Sequence, residues 1–339
     1  MAKVTLQSIA DRVGVSRMTV SNAFSRPDQL SAELRERILA AAEELGYVGP
    51  DPAARALARG RTGSVGIMLN DRLSEAFEDA IAAAFFASVA DSLADSGFAL
   101  TLLTPRTAAD FVPARDVAMD GALVYICEPD SSDLAWLDRR RLPQVSIDQN
   151  KRGTVPSINV DDRGGAREAA QHLVDLGHTA IGILTLESSD GSPSRSYPAT
   201  QRMLGWHDAL DAAGLEPRVA TAPYKPPAAA YDAAVGLLDG PDRPTAVLCF
   251  SDAFALGVVR AAEKLGLAVP DDLSVVGFDD SPLAEVARPP LTTVRQDVAR
   301  KGELAVAALL ASMHGQEPAE DSLLPTHLVA RESTAAPPT

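Results

Sequence analysis

Hydrophobic residues near the amino terminus follow the three- and four-residue spacing of amphipathic helices. A first helix is predicted after Thr5, a residue type that caps helices, and Gly14 ends it. A second helix follows Ser16, another capping residue type, and turns Val20 and Phe24 inward. Its outer face carries Arg17, Met18, Ser21 and Asn22. The pattern therefore predicts two short helices joined by a tight turn.

A third helix of about fifteen residues is predicted after Ser31, which can cap it, and Gly46 ends it. One face of this helix carries Leu34, Ile38, Ala41 and Leu45. Three short helices make one small domain over residues 1–48, and the outer face of the second is of the kind that a DNA major groove accepts. A helical pair that only packs is the alternative, because short helical hairpins are common.

Glycine and proline mark both ends of a linker over residues 49–62, but its middle favours a helix. Asp51 can cap that helix, Pro52 suits its first position, and residues 53–59 follow. A helix this short is marginal in water, so we expect the linker to be disordered alone and to fold when docked. A plain surface helix is the alternative.

From residue 63 onward, short apolar runs alternate with alanine-rich helical runs. This alternation predicts an α/β fold in which helices cover both faces of parallel sheets. A second series begins at residue 157, so two lobes are expected. The predicted strands are 64–69, 98–103, 121–126, 142–147, 157–160, 180–184, 246–250 and 273–278. The predicted helices are 77–95, 164–176, 201–213 and 253–265.

The composition is that of a globular protein, with 339 residues, 46% hydrophobic and 23% charged. No apolar run is long enough to span a bilayer and no signal-peptide core opens the chain, so we expect a cytoplasmic protein without a membrane partner. Cys127 and Cys249 lie in apolar strand-like runs, which favours buried free thiols over a disulfide. The scattered cysteines and histidines predict no metal site, and no cofactor is expected.

The net charge of −15 is unevenly distributed. Residues 1–61 carry nine Lys and Arg against seven Asp and Glu, a net charge of +2, so the remainder carries −17. A mildly basic head on an acidic body suits DNA contact through the head alone, because phosphates repel the body.

Three segments of the head and linker carry a family resemblance: VTLQSIADRVGVSRMTVSNAFS, LSAELRERILAAAEELGY and DPAARALARG. They resemble the amino-terminal head of the lac repressor/galactose repressor family of bacterial transcription regulators. The resemblance continues through the body in the segments NVDD (159–162), HLVDLGH (172–178), RMLGW (202–206), VVGFDD (275–280) and PLTTVRQD (290–297).

The resemblance implies a helix-turn-helix head and a core similar to periplasmic sugar-binding proteins, with two lobes of doubly wound parallel sheets over residues 63–339. The N-lobe would comprise about 63–160 and 292–321, and the C-lobe about 161–291 and 322–335, with a ligand in the cleft between them. A homodimer on near-palindromic double-stranded operator DNA is also implied. No leucine heptad follows the last strand, so a coiled-coil tetramer is not indicated.

The resemblance also assigns DNA contacts. The expected phosphate contacts are Thr5, Ser16, Thr19, Ser21 and Ser31, although Thr5, Ser16 and Ser31 can instead act only as helix caps. Sequence preference would come from Arg17, Met18 and Asn22, since arginine favours guanine, methionine packs on the thymine methyl group and asparagine pairs with adenine. In the linker helix, Ala53 and Ala54 match contact positions and Leu57 matches the leucine that wedges between base pairs in the minor groove.

An effector site is implied at strand ends that face the cleft. Asp279 follows a strand, and Arg202 is expected to open a helix after a long loop, 186–199, that could close over the site. A carboxylate and a guanidinium can together hold vicinal hydroxyls, and an ion pair between them is the alternative. Other matching positions are Asp148, Ser251 and Gln296, with Ala76, Phe77, Tyr125 and Tyr224 as walls. Core packing is an equal alternative for Phe77 and Tyr125.

Three classes of function compete. A ligand-responsive transcription regulator needs the head, the linker and the cleft, and all three are predicted. A transport-type solute-binding protein would have a signal peptide in place of the head, and an enzyme would need a nucleophile elbow, phosphate loop or metal set that the chain lacks. We therefore expect no enzyme but a repressor released by a sugar or related polyol. A non-sugar effector such as a nucleobase, and co-repression, are the alternatives.

Replacing Asn22 by arginine is expected to change the preferred base from adenine toward guanine, because the arginine fork matches the acceptors of guanine. Selection of binding sites from a random DNA pool with both proteins measures the change. An unchanged base preference would show that Asn22 does not contact a base.

Overall fold

The computed structural model describes residues 4–49, 51–69, 73–104, 110–125, 132–188, 190–224, 228–317 and 319–338. The chain divides into two compact units, Met1–Gly63 and Ser64–Thr339. Each unit has its own buried apolar core.

The first unit is helical, with α1 (Leu6–Val13), α2 (Arg17–Ser25), a short 3-10 helix (Pro27–Gln29), α3 (Ala32–Glu44) and α4 (Pro52–Arg59). Ile9, Val20 and Ile38 are fully buried where α1, α2 and α3 meet. The four helices begin at the predicted caps Thr5, Ser16, Ser31 and Asp51, whose side chains accept hydrogen bonds from amides of the first turn. The helix-turn-helix predicted from the spacing is thereby confirmed.

The second unit begins with β1 (Ser64–Leu69), α5 (Leu73–Glu78), α6 (Ala80–Asp95), β2 (Ala99–Leu103), α7 (Pro113–Asp116), β3 (Gly121–Tyr125), α8 (Ser132–Arg140), β4 (Gln144–Ile147) and β5 (Ser157–Val160). It continues with α9 (Asp162–Asp175), β6 (Ile181–Leu186), α10 (Tyr197–Ala212), β7 (Arg218–Ala222), α11 (Ala228–Leu238), β8 (Ala246–Cys249), α12 (Asp252–Lys264), β9 (Ser274–Asp279) and α13 (Pro282–Val286). The last elements are β10 (Thr292–Arg295), α14 (Val298–Met313), β11 (Ser322–Leu324) and β12 (His327–Val329).

Two six-stranded sheets form the two lobes that the alternating pattern predicted. The N-lobe sheet has the order β11-β5-β4-β3-β1-β2, and the C-lobe sheet has the order β12-β10-β9-β8-β6-β7. Among the strands named above, all pairings are parallel except that of β12 with β10. The central strands β3, β4, β8 and β9 are almost entirely buried because helices cover both faces of each sheet, whereas the edge strands β2, β7 and β12 are partly exposed.

Two of the lobe boundaries differ from those expected from the sequence. Residues 292–295 form β10, which pairs with β9, so the chain leaves the C-lobe after Arg295 and not at residue 291. Residues 322–324 form β11, which pairs with β5 of the N-lobe, so the last crossing lies between Leu324 and His327. Together with the passage from β5 to α9, the chain crosses between the lobes three times.

Two helices also differ from the pattern. The single helix predicted over 77–95 is broken at Asp79, whose carboxylate accepts hydrogen bonds from the amides of Ile81 and Ala82 at 2.8 and 3.3 Å and so starts a new helix. Arg202 does not open a helix, because α10 already begins at Tyr197. The loop before it is correspondingly shorter, since β6 extends to Leu186.

No helix within the described ranges is both long and apolar enough to cross a membrane. The same residues contain no cluster of three or more His, Cys, Asp or Glu side chains able to hold a metal ion. Cys249 is a buried free thiol, as predicted, whereas Cys127 lies outside the described residues.

Helices α9 and α10 pack so closely that there is no room for a side chain at Gly205 of α10. A Cβ atom on Gly205 would lie 2.2 Å from the carbonyl oxygen of Arg163 and 2.9 Å from the Cβ of Ala166. Backbone and helix-core atoms cannot move aside without separating the two helices.

Gly205→Ala is expected to lower the free energy of unfolding by about 1–3 kcal/mol, because the added methyl group overpacks the contact between the helices. Urea unfolding followed by tryptophan fluorescence measures it. Gly236→Ala in α11 is the matched control, since nothing lies within 4 Å of the new Cβ, and it should stabilise by about 0.5–1 kcal/mol. Equal effects of both substitutions would contradict the close helix contact.

Candidate ligand cleft and DNA-binding surface

A small cavity of about 60 Å³ lies between the lobes at the carboxyl ends of the parallel strands. Its lining includes Asp79, Ile81, Tyr125, Asp148, Val160, Asp162, Pro198, Arg202, Tyr224, Phe250, Ser251, Asp279 and Gln296. Ligand sites are usually about 300–1,000 Å³ in volume. A sugar-sized occupant therefore requires the lobes or the lining side chains to move.

Most of the predicted effector residues meet in this cavity, namely Tyr125, Asp148, Arg202, Tyr224, Ser251, Asp279 and Gln296. Ala76 and Phe77 do not line it. Ala76 is buried in the N-lobe core, and Phe77 is 57% exposed with its ring 5.9 Å from that of Phe86. The helix break at Asp79 explains this difference from the sequence-based prediction. It ends α5, and the Asp79 carboxylate lines the cavity instead of Ala76 and Phe77.

Arg202 is the most heavily engaged side chain of the cavity. Its Nε donates to Asp162 Oδ1 at 2.8 Å, one Nη donates to the Phe250 carbonyl at 2.5 Å, and the other donates to Asp279 Oδ1 at 3.3 Å. Its guanidinium also stacks on Phe278, with Cζ 3.6 Å from the ring centre. Of the two sequence-based interpretations of Arg202 and Asp279, the ion pair is the one formed in this structure.

A chain of hydrogen bonds joins the two lobes through Gln296. Its amide Nε2 donates to Asp279 Oδ1 at 2.7 Å, and its Oε1 accepts from Lys301 Nζ at 3.2 Å. Lys301 lies on α14 against the N-lobe and forms an ion pair with Asp148 at 2.6 Å. Lys301 is only 1% exposed, so the ion pair with Asp148 replaces the hydration that its ammonium group would have in water.

Two tyrosines of the C-lobe lie beside polar side chains of the N-lobe at the cleft. Tyr224 lies beside Asp79, and Tyr197 lies beside Asn159. Polar contacts thus reach from one lobe to the other around the cavity.

Carboxylates outnumber cations in the cavity. Asp79, Asp148, Asp162 and Asp279 line it, against the single lining cation Arg202 and the adjacent Lys301. Burial raises the pKa of Asp279 to about 8, although the nearby Arg202 opposes the shift. Burial likewise raises the pKa of Asp162 to about 6 against the same guanidinium.

Two buried carboxylate oxygens of the cavity accept no hydrogen bond from any described residue, and they are Asp148 Oδ1 and Asp162 Oδ2. A buried acceptor without a donor costs about 1–3 kcal/mol. The cavity therefore has unused acceptor capacity for a ligand that brings N–H or O–H groups.

Three aspartates at the ends of strands have left-handed backbones, with φ of 52° at Asp148, 107° at Asp279 and 50° at Asp280. Such conformations cost of order 1 kcal/mol or more for residues other than glycine and cluster at functional sites. Asp148 and Asp279 line the cavity. Asp280 instead pairs with Arg295 and Arg331, which anchors the end of β9.

Among the charged residues in or beside the cavity, the sequence reasoning missed Asp79, Asp162 and Lys301. Asp162 lies in the segment NVDD, next to Asp161, and no local sequence feature distinguishes the two aspartates. Asp161 Oδ1 caps α9 through the Gly164 amide at 2.9 Å, which leaves Asp162 to reach Arg202. Lys301 carries no local signal, because its partner is 153 positions away.

The predicted base-contacting residues lie on the outer side of α2. Met18 is 69% exposed, Arg17 is exposed, and Asn22 is half-buried with its amide donating to Gln29 Oε1 at 3.3 Å. In α4 the Leu57 side chain is 85% exposed, and Ala53 and Ala54 are exposed beside it. An apolar side chain this exposed on a short helix is available to a partner.

The remaining predicted contacts are hydroxyls of the helix starts. Thr5, Ser16 and Ser31 are engaged as helix caps. Thr19 lies 2.8 Å from Ser16 Oγ through its own hydroxyl, and Ser21 is half-buried on α2. Capping does not preclude a phosphate contact, since a hydroxyl oxygen that accepts from an amide still has a proton to donate.

Comparison with known proteins gives consistent matches over the whole chain. Residues 5–49 match the bacterial regulatory proteins of the lacI family, and residues 170–334 match a periplasmic binding protein-like domain. An HTH-type transcriptional regulator of Mycolicibacterium smegmatis is 37% identical over 363 aligned residues, which cover 99% of this chain and 97% of that protein.

Solved structures extend the match to the fold. A lac repressor dimer bound to operator and the anti-inducer ONPF has a TM-score of 0.83 at 28% identity, covering 98% of this chain and 99% of that one. A complex of the transcriptional regulator CelR with cellobiose has a TM-score of 0.71 at 29% identity, covering 98% and 100%. These relatives are named as transcriptional regulators and not as enzymes.

Asp279→Asn is expected to change how stability depends on pH. Because the folded chain holds the Asp279 proton up to about pH 8 while an unfolded aspartate releases it near pH 4, the contribution of Asp279 to stability falls as pH rises through this window. The asparagine side chain does not titrate in this pH range, and asparagine tolerates a positive φ. The variant should therefore gain stability relative to the wild type with rising pH, by at most about 1.4 kcal/mol per pH unit.

Urea unfolding at several values between about pH 5 and pH 8 measures the difference between the two proteins. The exposed Asp239→Asn on the C-lobe surface is the control, and its difference from the wild type should stay constant. A constant difference for Asp279→Asn as well would contradict a raised pKa at this site.

Proposed function

This chain belongs to the lacI family of bacterial regulatory proteins, and we propose that it is a homodimeric repressor whose affinity for operator DNA is controlled by a sugar or related polyol bound between its lobes. DNA binding and transcription regulation follow from the family. The repressor role, the effector class, the dimer, the cytoplasmic location and the individual contacts are the proposal.

The exposed surfaces of α2 and α4 support the DNA contacts. Arg17, Met18 and Asn22 offer a guanidinium, an apolar tip and an amide on one side of α2, a set that suits the base edges of a major groove. Leu57 on α4 is an exposed apolar side chain of the kind that unstacks a base step in the minor groove. Two copies of each in a homodimer require a near-palindromic operator.

The observation that carries the effector class is the pair of unpartnered carboxylate oxygens, Asp148 Oδ1 and Asp162 Oδ2. Hydroxyl groups of a polyol are donors that would satisfy both, whereas a phosphate or carboxylate would add negative charge beside Asp148 and Asp162. Three of the five N–H groups of Arg202 already donate to protein oxygens, two of which belong to aspartates, so its positive charge is largely compensated before any anion binds. The CelR–cellobiose complex and the lac repressor bound to ONPF are consistent with this class.

The mechanism that we propose starts from the small size of the cavity. A polyol does not fit into 60 Å³ unless the lobes or the lining side chains move, and in the proposed mechanism the lobes move, so that binding selects a different lobe arrangement. The hydrogen bonds of Gln296, and the contacts of Tyr224 and Tyr197 across the cleft, would be exchanged for contacts with the ligand. In a dimer this change would alter how the two heads are presented to DNA and weaken operator binding.

The proposed function is tested by gel retardation of DNA from the promoter region of the protein's own gene at low salt. The wild type is expected to retard this DNA and to release it in the presence of a neutral sugar or polyol from a panel that also raises the melting temperature. Absence of retardation would overturn the repressor, and retardation without any active polyol would overturn the effector class.

Asp162→Asn sharpens the effector test. The amide keeps an oxygen for Arg202 but turns the unpartnered Oδ2 into a donor, so the active polyol should bind about 10–100-fold more weakly while retardation persists. Asp239→Asn serves again as the matched surface variant and should leave both measurements unchanged. Unchanged polyol affinity in Asp162→Asn would remove Asp162 from the site.

A further inference from the structure

Three consecutive arginines end α8 and lead into β4 on an otherwise acidic body. Arg139 and Arg141 are exposed and make no ion pair with any described residue, whereas Arg140 is half-buried and donates to the Ala114 carbonyl at 2.6 Å. The body as a whole carries a net charge of −17. Two unpaired guanidiniums therefore give this part of the surface a local positive charge on an otherwise negative body.

The neighbouring carboxylates do not neutralise these two arginines, because they are already engaged. Asp116 pairs with Arg115 at 2.7 Å, and Asp138 pairs with Arg152 at 3.0 Å. The pKa of Asp116 is lowered to about 2 by the hydrogen bond from Arg115, so this pair stays ionised at neutral pH. The free positive charge of the cluster is therefore carried by Arg139 and Arg141.

Arg139 is also held in place by an aromatic ring. Its Cζ lies 4.9 Å from the ring centre of Trp136, and the Cζ of Arg115 lies 5.6 Å from the same centre. A guanidinium stacked on a ring keeps its N–H groups directed outward in the plane, where they can meet the oxygens of a phosphate. Little conformational entropy is then lost when such a contact forms.

The two arginines lie at the edge of the N-lobe where the chain enters the core. The amide of Asp120, just before β3, donates to the Ser64 carbonyl at the start of β1, and the amide of Ala122 donates to the Pro143 carbonyl just before β4. In the sheet order β4-β3-β1, the turn that follows Arg141 is two strands from Ser64, about 10 Å. The linker from the DNA-binding head is joined to this same edge.

We propose that Arg139 and Arg141 bind DNA phosphates that flank the operator, as a second, sequence-independent contact made by the core. This inference rests on the DNA binding of the head, which tethers the duplex to the chain and raises its local concentration at this edge. The contacts would add affinity and salt dependence without adding base preference. The repulsion expected between the acidic body and DNA is offset at this edge by the local positive charge.

The test compares two duplexes in fluorescence anisotropy over a range of salt concentrations. One is the shortest promoter fragment that the wild type binds, and the other carries about one extra helical turn of DNA on each side. The double variant Arg139→Gln/Arg141→Asn removes both charges, and asparagine suits the φ of 54° at position 141. Arg167→Gln/Arg300→Gln, on α9 and α14, removes the same charge elsewhere on the core.

The wild type is expected to bind the longer duplex more tightly and with a steeper salt dependence. The Arg139/Arg141 variant should bind the short duplex as the wild type does but lose the gain on the longer one, and the slope of log K against log salt should fall by about 0.9 for each phosphate that is no longer neutralised. The Arg167/Arg300 variant should behave as the wild type, and equal melting temperatures would show that all three proteins are folded.

Equal affinity and slope of the wild type and the Arg139/Arg141 variant on the longer duplex would overturn the inference and leave the proposed function intact. An equal reduction in both double variants would also overturn it, since only net charge would then matter. Failure of the wild type to bind either duplex would instead overturn the proposed function, and the inference with it.

Discussion

Burying Arg202 and Lys301 between two sheets is the constraint on which the centre of this molecule depends. A cation removed from water costs several kcal/mol unless carboxylates and hydrogen bonds replace its hydration. Arg202 finds its partners within the C-lobe, in Asp162, Asp279 and the Phe250 carbonyl. Lys301 pairs with Asp148 in the N-lobe and is hydrogen-bonded to Gln296, which leads to the C-lobe. The link between the lobes at this point is therefore made of polar contacts and not of apolar packing.

The same requirement explains why the cavity contains more acceptors than its own cations use. Each carboxylate has two oxygens, and Arg202 and Lys301 engage only one oxygen each of Asp162 and Asp148. The second oxygens are buried by the geometry that satisfies the first. The carboxylates that hold the two cations are therefore left with buried oxygens that lack hydrogen-bond donors, and hydroxyl groups are such donors.

Sequence patterns located the elements where one periodicity dominates. The inward spacing of Val20 and Phe24 and the apolar run before Asp279 were enough to place α2 and β9. The break at Asp79 was missed because the alanine-rich run beyond it continues the helical pattern, and only the local bonds of the Asp79 carboxylate end one helix and start the next. Residues 292–295 were assigned to the wrong lobe, because strand pairing depends on register with β9 and not on local composition.

The candidate effector site can be divided in the same way into residues that the sequence could place and residues that it could not. Asp148, Arg202, Asp279 and Gln296 could be placed by their resemblance to a family pattern, and they do meet. Lys301 could not, because a lysine in an amphipathic helix normally faces solvent and its burial depends on Asp148, far away in the chain. Contacts between distant segments are thus the part of the site that local sequence reasoning does not reach.

The three crossings between the lobes leave from neighbouring strands. β5 and β11 lie side by side at one end of the N-lobe sheet, and β10 and β12 lie side by side at one end of the C-lobe sheet. Because the three connections lie at one side of the lobes, they have the arrangement of a hinge with essentially one rotational degree of freedom. In such a rotation, the displacement of a residue grows with its distance from the connections. Gln296, just after β10, lies near this side, whereas Tyr224 lies just after β7 at the opposite edge of the sheet, so a rotation of the lobes about this side would move Tyr224 away from Asp79 further than it would move Gln296.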